Sequence, residues 1–176
     1  VVAQSSFHKK IIEKNLSLKN VFSISGNLWS LSSLKKLRDN CKKHKNTRCS
    51  VLNSNIPHKN TSGATMYCEE NNLGYELVSS NNYIDFLDKL GANKTFVFLP
   101  KTPETLSRVV VEARMMGMSV KTNSLVGACQ EPWFELKGEE LVDYMTAKRQ
   151  EIGNFIEKTV KRAKRRAFSP KKVSII

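Results

Sequence analysis

No apolar run in this sequence approaches the roughly 20 residues that cross a bilayer, and no charged-then-apolar secretory leader opens it. A cytoplasmic setting is the expectation that follows. Cys-x-x-Cys pairs are lacking: Cys41, Cys49, Cys68 and Cys129 are scattered, and His8, His44 and His58 are the only histidines. This pattern carries neither a disulfide framework nor a metal-ligand spacing, so reduced packing thiols and no metal are expected. Internal repeats are also lacking, and the only low-complexity stretch is the basic end.

Acids are scarce, 16 Asp and Glu against 29 Lys and Arg, which leaves a net charge of +13. An excess of that size calls for an acidic partner or surface. It gathers from Lys35 to Lys45 and again from Lys158 to Lys172, where Lys158, Lys161, Arg162, Lys164, Arg165, Arg166, Lys171 and Lys172 stand without one acid. A solvated helix face is the plain reading of such a run. A nucleic-acid-binding basic α/β module is an alternative, weakened by the lack of a recognition motif and by Phe168 being the only aromatic in the basic tail.

What is present is ordinary for a globular domain: 40% apolar and 26% charged residues in a chain of 176. That length buries one good core. Val1 to Ala3 reads as a strand end. Ser5-Ser6 caps a helix whose apolar side is Phe7, Ile11, Ile12 and Leu16, and Val21 to Ile24 is a short strand. Ser30 caps a second helix with Leu31, Leu34, Leu37 and Cys41 on one face and Lys35, Lys36 and Arg38 toward water. Cys49 to Asn53 is a strand, followed by a polar loop, Ser54 to Asn60. The helix from Ser62 to Asn72 buries Ala64, Met66, Tyr67 and Cys68. Tyr75 to Val78 is a strand, and Tyr83, Phe86, Leu87 and Leu90 recur at helical spacing as core. Met118 to Thr122 is a strand, and Glu131 to Phe134 a turn that packs two aromatics. From Glu139 a long helical pattern runs until Pro170 stops it. Strands alternating with helices give an α/β fold with a mostly parallel, Rossmann-like sheet.

The organising stretch is Thr95 to Ala113. Thr95-Phe96-Val97-Phe98-Leu99-Pro100 reads as a buried parallel strand, Lys101-Thr102-Pro103 as its exit loop, and from Leu106 the spacing predicts a helix ended by Gly117. Glu104 and Glu112 bracket the helix start. Unpaired amides near Ser107 and Arg108 would favour a phosphate there, and the carboxylates could accept from sugar hydroxyls on either side. Spacing alone equally admits Glu104 as a helix-dipole partner and Glu112 as a solvent-facing residue.

The string Pro-Glu-x-x-x-Arg-Val-Val-Val-Glu-Ala, with Met-Met-Gly-Met-x-Val-x-Thr-Asn after it, resembles the two-glutamate signature of retaining glycosyltransferases of GT-B architecture. The resemblance runs from about Val1 to Met145, the C-terminal, donor-binding half of that fold. It implies transfer of a sugar from a nucleotide diphosphate-sugar with retention, and no cofactor beyond that donor. Glu104 would contact the transferred sugar as the catalytic residue, and Glu112 the ribose. The turn Thr105, Leu106, Ser107 and Arg108 would meet the donor, with the amides of Ser107 and Arg108 beside the diphosphate. Lys59 stands at the family's diphosphate lysine, and Val78 and Ser79 lie beside the base. Leu106 and Ser107 replace an aromatic and a glycine, Ser54 an arginine, and Asn53 and Asn60 glycines.

The implied organisation is a remnant of the acceptor-side domain and the interdomain crossing at 1–28, a donor-binding domain at 29–145, and a C-terminal helix with basic tail at 146–176. Because Val1 is not methionine and a whole GT-B enzyme is about twice this length, a fragment lacking the N-terminal acceptor domain is expected. The partners expected are a nucleotide-sugar and, through Lys158 to Lys172, an anionic membrane surface at which the protein would sit peripherally, with nucleic acid behind them. A non-catalytic nucleotide-sugar-binding protein on the same fold is the remaining alternative.

Overall fold

The computed structural model of the protein describes residues 1–167, with side chains through Ala163. Strands β1 (Val2–Ala3) and β2 (Phe22–Ser23) form a small parallel pair joined by α1 (Ser6–Leu16). After α2 (Leu31–Cys41) comes the main sheet: β3 (Asn46–Leu52), β4 (Tyr75–Val78), β5 (Asn93–Val97) and β6 (Ser119–Lys121), all parallel, in the order β4-β3-β5-β6. Helices α3 (Thr61–Glu70), α4 (Tyr83–Leu90) and α5 (Arg108–Met115) make the crossovers, and α6 (Glu139–Ala167) closes the described chain. The fold is α/β with parallel strands.

Period-two alternation divides the buried run of β5 between two cores. Phe96 and Phe98 pack on one face with Trp29, Leu37, Leu87, Leu90, Val110 and Met145, whereas Val97 and Leu99 pack on the other with Val51, Ala64 and Cys68. Right-handed crossovers explain the division. The chain steps outward from β3 to β4 over α3, then reverses past β3 to β5 and β6, which puts α4 and α5 on the opposite face. Where the direction reverses, the chain leaves β3 and β5 toward opposite faces, which makes the carboxyl ends of these two strands the place for a ligand crevice in a sheet of this kind.

Caps fix the ends of the elements around that crevice. Ser5, Ser30 and Asn82 cap α1, α2 and α4 through their side chains, and Asn60, at φ 57°, caps α3. Helix α5 ends in a Schellman motif. Gly117, at φ 78°, donates to Arg114 O at 2.9 Å, and Met118 donates to Ala113 O at 3.1 Å.

Several expectations are corrected. Helix α5 starts at Arg108, not Leu106, because Ser107 takes a left-handed conformation (φ 67°) that no helix continues through. Met66 is 56% exposed and Leu16 63%, since α3 and α1 each lie over only part of the body. Lys36 and Arg38 pair with Asp88 and with Asp143 and Glu139 on neighbouring helices. Strand β3 begins at Asn46, its polar first residues pairing with β5 across a bulge.

Helix α6 runs unbroken through the 145/146 boundary. Ile152 is buried on it, and Phe155 stacks on Phe22 with ring centroids 4.1 Å apart. Ile156 and Val160 are exposed, as are Lys158, Lys161 and Arg162. The basic side chains from Lys164 to Lys172, Phe168 and the expected stop at Pro170 lie outside the described residues. Among the described residues no helix is long and apolar enough to cross a membrane, and all four cysteines are free thiols.

Candidate functional site

Two loops are laced together at the carboxyl ends of β3 and β5. After β3, a 3-10 turn (Pro57–Lys59) leads into Asn60, whose Nδ2 donates to Leu99 O at 2.7 Å, while Lys101 N donates to His58 O at 2.9 Å. This brings Lys59 to the loop after β5. Its Nζ lies 2.7 Å from Glu104 Oε1, in a pair whose side chains are only 25% and 15% exposed, and 5.8 Å from the centre of the Phe98 ring. Partial burial makes such a pair stronger than a surface one, and it leaves Glu104 Oε2 for another donor.

The backbone of Glu104 is pinned on both sides. Its N–H donates to Leu125 O at 2.8 Å, and its carbonyl accepts from Gly127 N at 2.9 Å. Gly127 must be glycine for steric reasons: a Cβ there would sit 2.3 Å from Thr105 O and 2.6 Å from Ser5 Oγ. The Ser5 hydroxyl donates to that same Thr105 carbonyl, so the N-terminal unit buttresses the loop.

At the start of α5, Ser107 makes no side-chain cap, and its hydroxyl is buried without a partner. Among the described residues the N–H groups of Ser107 and Arg108 have no acceptor. The positive end of the helix is therefore uncapped, on the loop that carries Glu104, with Ser107 itself only 7% exposed.

One turn further along, Glu112 is 3% exposed. A charge buried so deeply needs donors, and it has them: Trp29 Nε1 at 3.0 Å, Tyr83 Oη at 2.8 Å, and Arg108 Nε and Nη2 at 3.4 and 3.3 Å. The Arg108 guanidinium also lies over the Trp29 ring at 5.2 Å. Burial, followed by the Glu112 charge, pushes the Tyr83 phenol up to about 12, so it remains a donor at neutral pH.

Of the expected site residues, Lys59, Glu104, Ser107, Arg108 and Glu112 come together at this edge of the sheet. The solvent-facing reading of Glu112 is overturned by its inward setting. Leu106 (1% exposed) and Val78 (3%) have core side chains, and the carbonyl of each is taken, by Ala128 N and Asn53 N, which leaves them only as walls. The Thr105 hydroxyl donates to Gln4, and Ser79 is exposed at the exit of β4. Sequence reasoning missed Trp29, Tyr83 and Gly127 as parts of the site. The available signal was Glu112 itself, a carboxylate between Val111 and Ala113 on an apolar helix, which demands buried donors of the indole and phenol kind.

Comparison of the chain with protein-family models, with curated proteins and with solved structures finds no match.

Proposed function

We propose that this chain is the donor-binding half of a retaining glycosyltransferase of GT-B architecture, and that it holds a nucleotide diphosphate-sugar across the crevice between the β3 and β5 exit loops. The carrying observation is the Lys59–Glu104 pair on the loop that leads into the uncapped N-terminus of α5, with Glu112 one helical turn, roughly 6 Å, along the same helix. In this reading the diphosphate meets the helix amides and takes Lys59 as a counter-charge. The freed Glu104 turns to the hydroxyls of the transferred sugar, and Glu112 receives the ribose. Orientation and stabilisation of the leaving diphosphate carry the reaction. Acceptor and further catalytic groups come from the other half of the enzyme.

Calorimetric titration of a panel of nucleotide diphosphates and their sugars tests the proposal. Glu104→Gln is expected to lose the added affinity due to the sugar while binding the bare diphosphate as the wild type does. Glu112→Ala should weaken both by about tenfold or more, a hydrogen bond to a charged group being worth about 1.5–3 kcal/mol. Unchanged donor binding in both variants would overturn the reading.

The basic end of α6 belongs to the same proposal. Ile156 and Val160 are exposed beside Lys158, Lys161 and Arg162, the amphipathic, cationic composition that lies on anionic lipid. Binding to anionic but not zwitterionic vesicles, lost when the chain ends at Glu157, is the expected outcome. Retention after truncation would contradict it.

A further inference from the structure

We infer that Trp29 and Tyr83 are positioning residues that lock one oxygen of Glu112 so that the other reads the vicinal 2′- and 3′-hydroxyls of a ribonucleotide. The inference rests on the donor-site reading above and goes beyond it, because it says what makes Glu112 selective.

All three donors to Glu112 converge on Oε1. Among the described residues none reaches Oε2, and Oε2 is not one of the buried atoms sealed from solvent without a partner. The carboxylate is thus divided into a held oxygen and an offered one. The holding groups come from three parts of the chain: Trp29 just before α2, Tyr83 at the first position of α4 after the β4 exit loop, and Arg108 at the first position of α5. Trp29 is 1% exposed, and its ring is fixed in the main core. Arg108 is the soft member, its side chain being 45% exposed. Rotating the carboxylate would break the indole and phenol bonds together, so Oε2 keeps one direction.

Such an oxygen is an acceptor only. It repels a phosphate, has nothing to offer a methylene, and suits a pair of adjacent hydroxyls, each of which donates. A deoxyribose would leave the offered oxygen short of a donor, and that kind of loss makes recognition selective.

The test is the affinity of UDP, GDP, CDP and ADP against their 2′-deoxy counterparts, measured by calorimetry for the wild type, Tyr83→Phe and Trp29→Phe. Tyr83→Phe removes only the donor, whereas Trp29→Phe also shrinks a buried ring of the main core. The wild type is expected to prefer the ribo form of its nucleotide by about tenfold. In each variant that preference should fall toward unity with deoxy affinity nearly unchanged, and the melting temperature should fall more in Trp29→Phe, which also leaves a cavity. A preference retained in both variants would overturn the inference and leave the donor site standing. Equal loss of ribo and deoxy binding would reduce the two residues to structural support and overturn it as well. No preference in the wild type would overturn the assignment of Glu112 to ribose itself.

Discussion

Ser107 carries a backbone conformation suited to glycine. At φ 67° and ψ 86° its Cβ is crowded, and its buried hydroxyl has no partner. Glycine takes that conformation freely, so Ser107→Gly should be more stable than Ser107→Ala by about 1 kcal/mol, read from urea denaturation midpoints. Equal midpoints would mean that the turn relaxes without strain. Sequence spacing carried Leu106 into the helix because its apolar period continues through the turn. The side chain is indeed buried, but the backbone reverses at Ser107 first. Glu112 was expected at the site from the resemblance, its spacing from Glu104 leaving the matter open, and the identity of its donors was not legible. Trp29 lies 83 residues away and Tyr83 29, and periodicity assigns a residue to a face without saying what meets that face.

Helices α2 and α4 show the same limit at the scale of elements. Their apolar faces were legible in large part, since Leu34, Leu37, Leu87 and Leu90 are all buried, but Leu31, expected on the same face of α2, is 62% exposed at the first position of that helix. That the polar side of α2 meets α4 was not. Lys36 Nζ lies 2.7 Å from Asp88 Oδ2 and Lys43 Nζ 2.9 Å from Asp88 Oδ1. The hydrogen bond from Lys36, against some burial and helped by Lys43, holds the Asp88 carboxyl down to about 2, below its ordinary 3.8. A carboxyl with a depressed folded-state pKa gives its stability above its ordinary value and loses it as the pH falls toward the folded value. The wild type should therefore lose this contribution between pH about 4 and about 2, and Asp88→Asn should show a flatter profile over that window. Because the groups are partly exposed, the contribution is on the order of 1 kcal/mol or less and should shrink with salt. Parallel thermal melting profiles for the two proteins would show that the clamp contributes nothing.

Over the whole molecule, the alternation of strands and helices was enough to indicate a parallel sheet, and the place expected of a ligand crevice follows from the strand order. What the sequence did not reveal was how the N-terminal unit joins the rest. Glu131, only 5% exposed, accepts from Ser6 N at 2.6 Å and from the Ser25 hydroxyl, and Trp133 Nε1 donates to Ser25 O at 3.0 Å. Those contacts, with Phe22 on Phe155, set β1, α1 and β2 against the Glu104 loop. They come from residues more than a hundred positions apart, read in the sequence only as a helix cap and an aromatic turn. Their joint result is a loop held from both sides beside an uncapped helix end, in a chain of net charge +13. In the proposed function this helix end and Lys59 cradle a diphosphate. The most direct measurement is the affinity of a nucleoside diphosphate against its parent nucleoside, in the wild type and in Lys59→Ala. The diphosphate is expected to bind at least about tenfold tighter, and Lys59→Ala to remove much of the difference. Equal affinity for diphosphate and nucleoside in the wild type would contradict it.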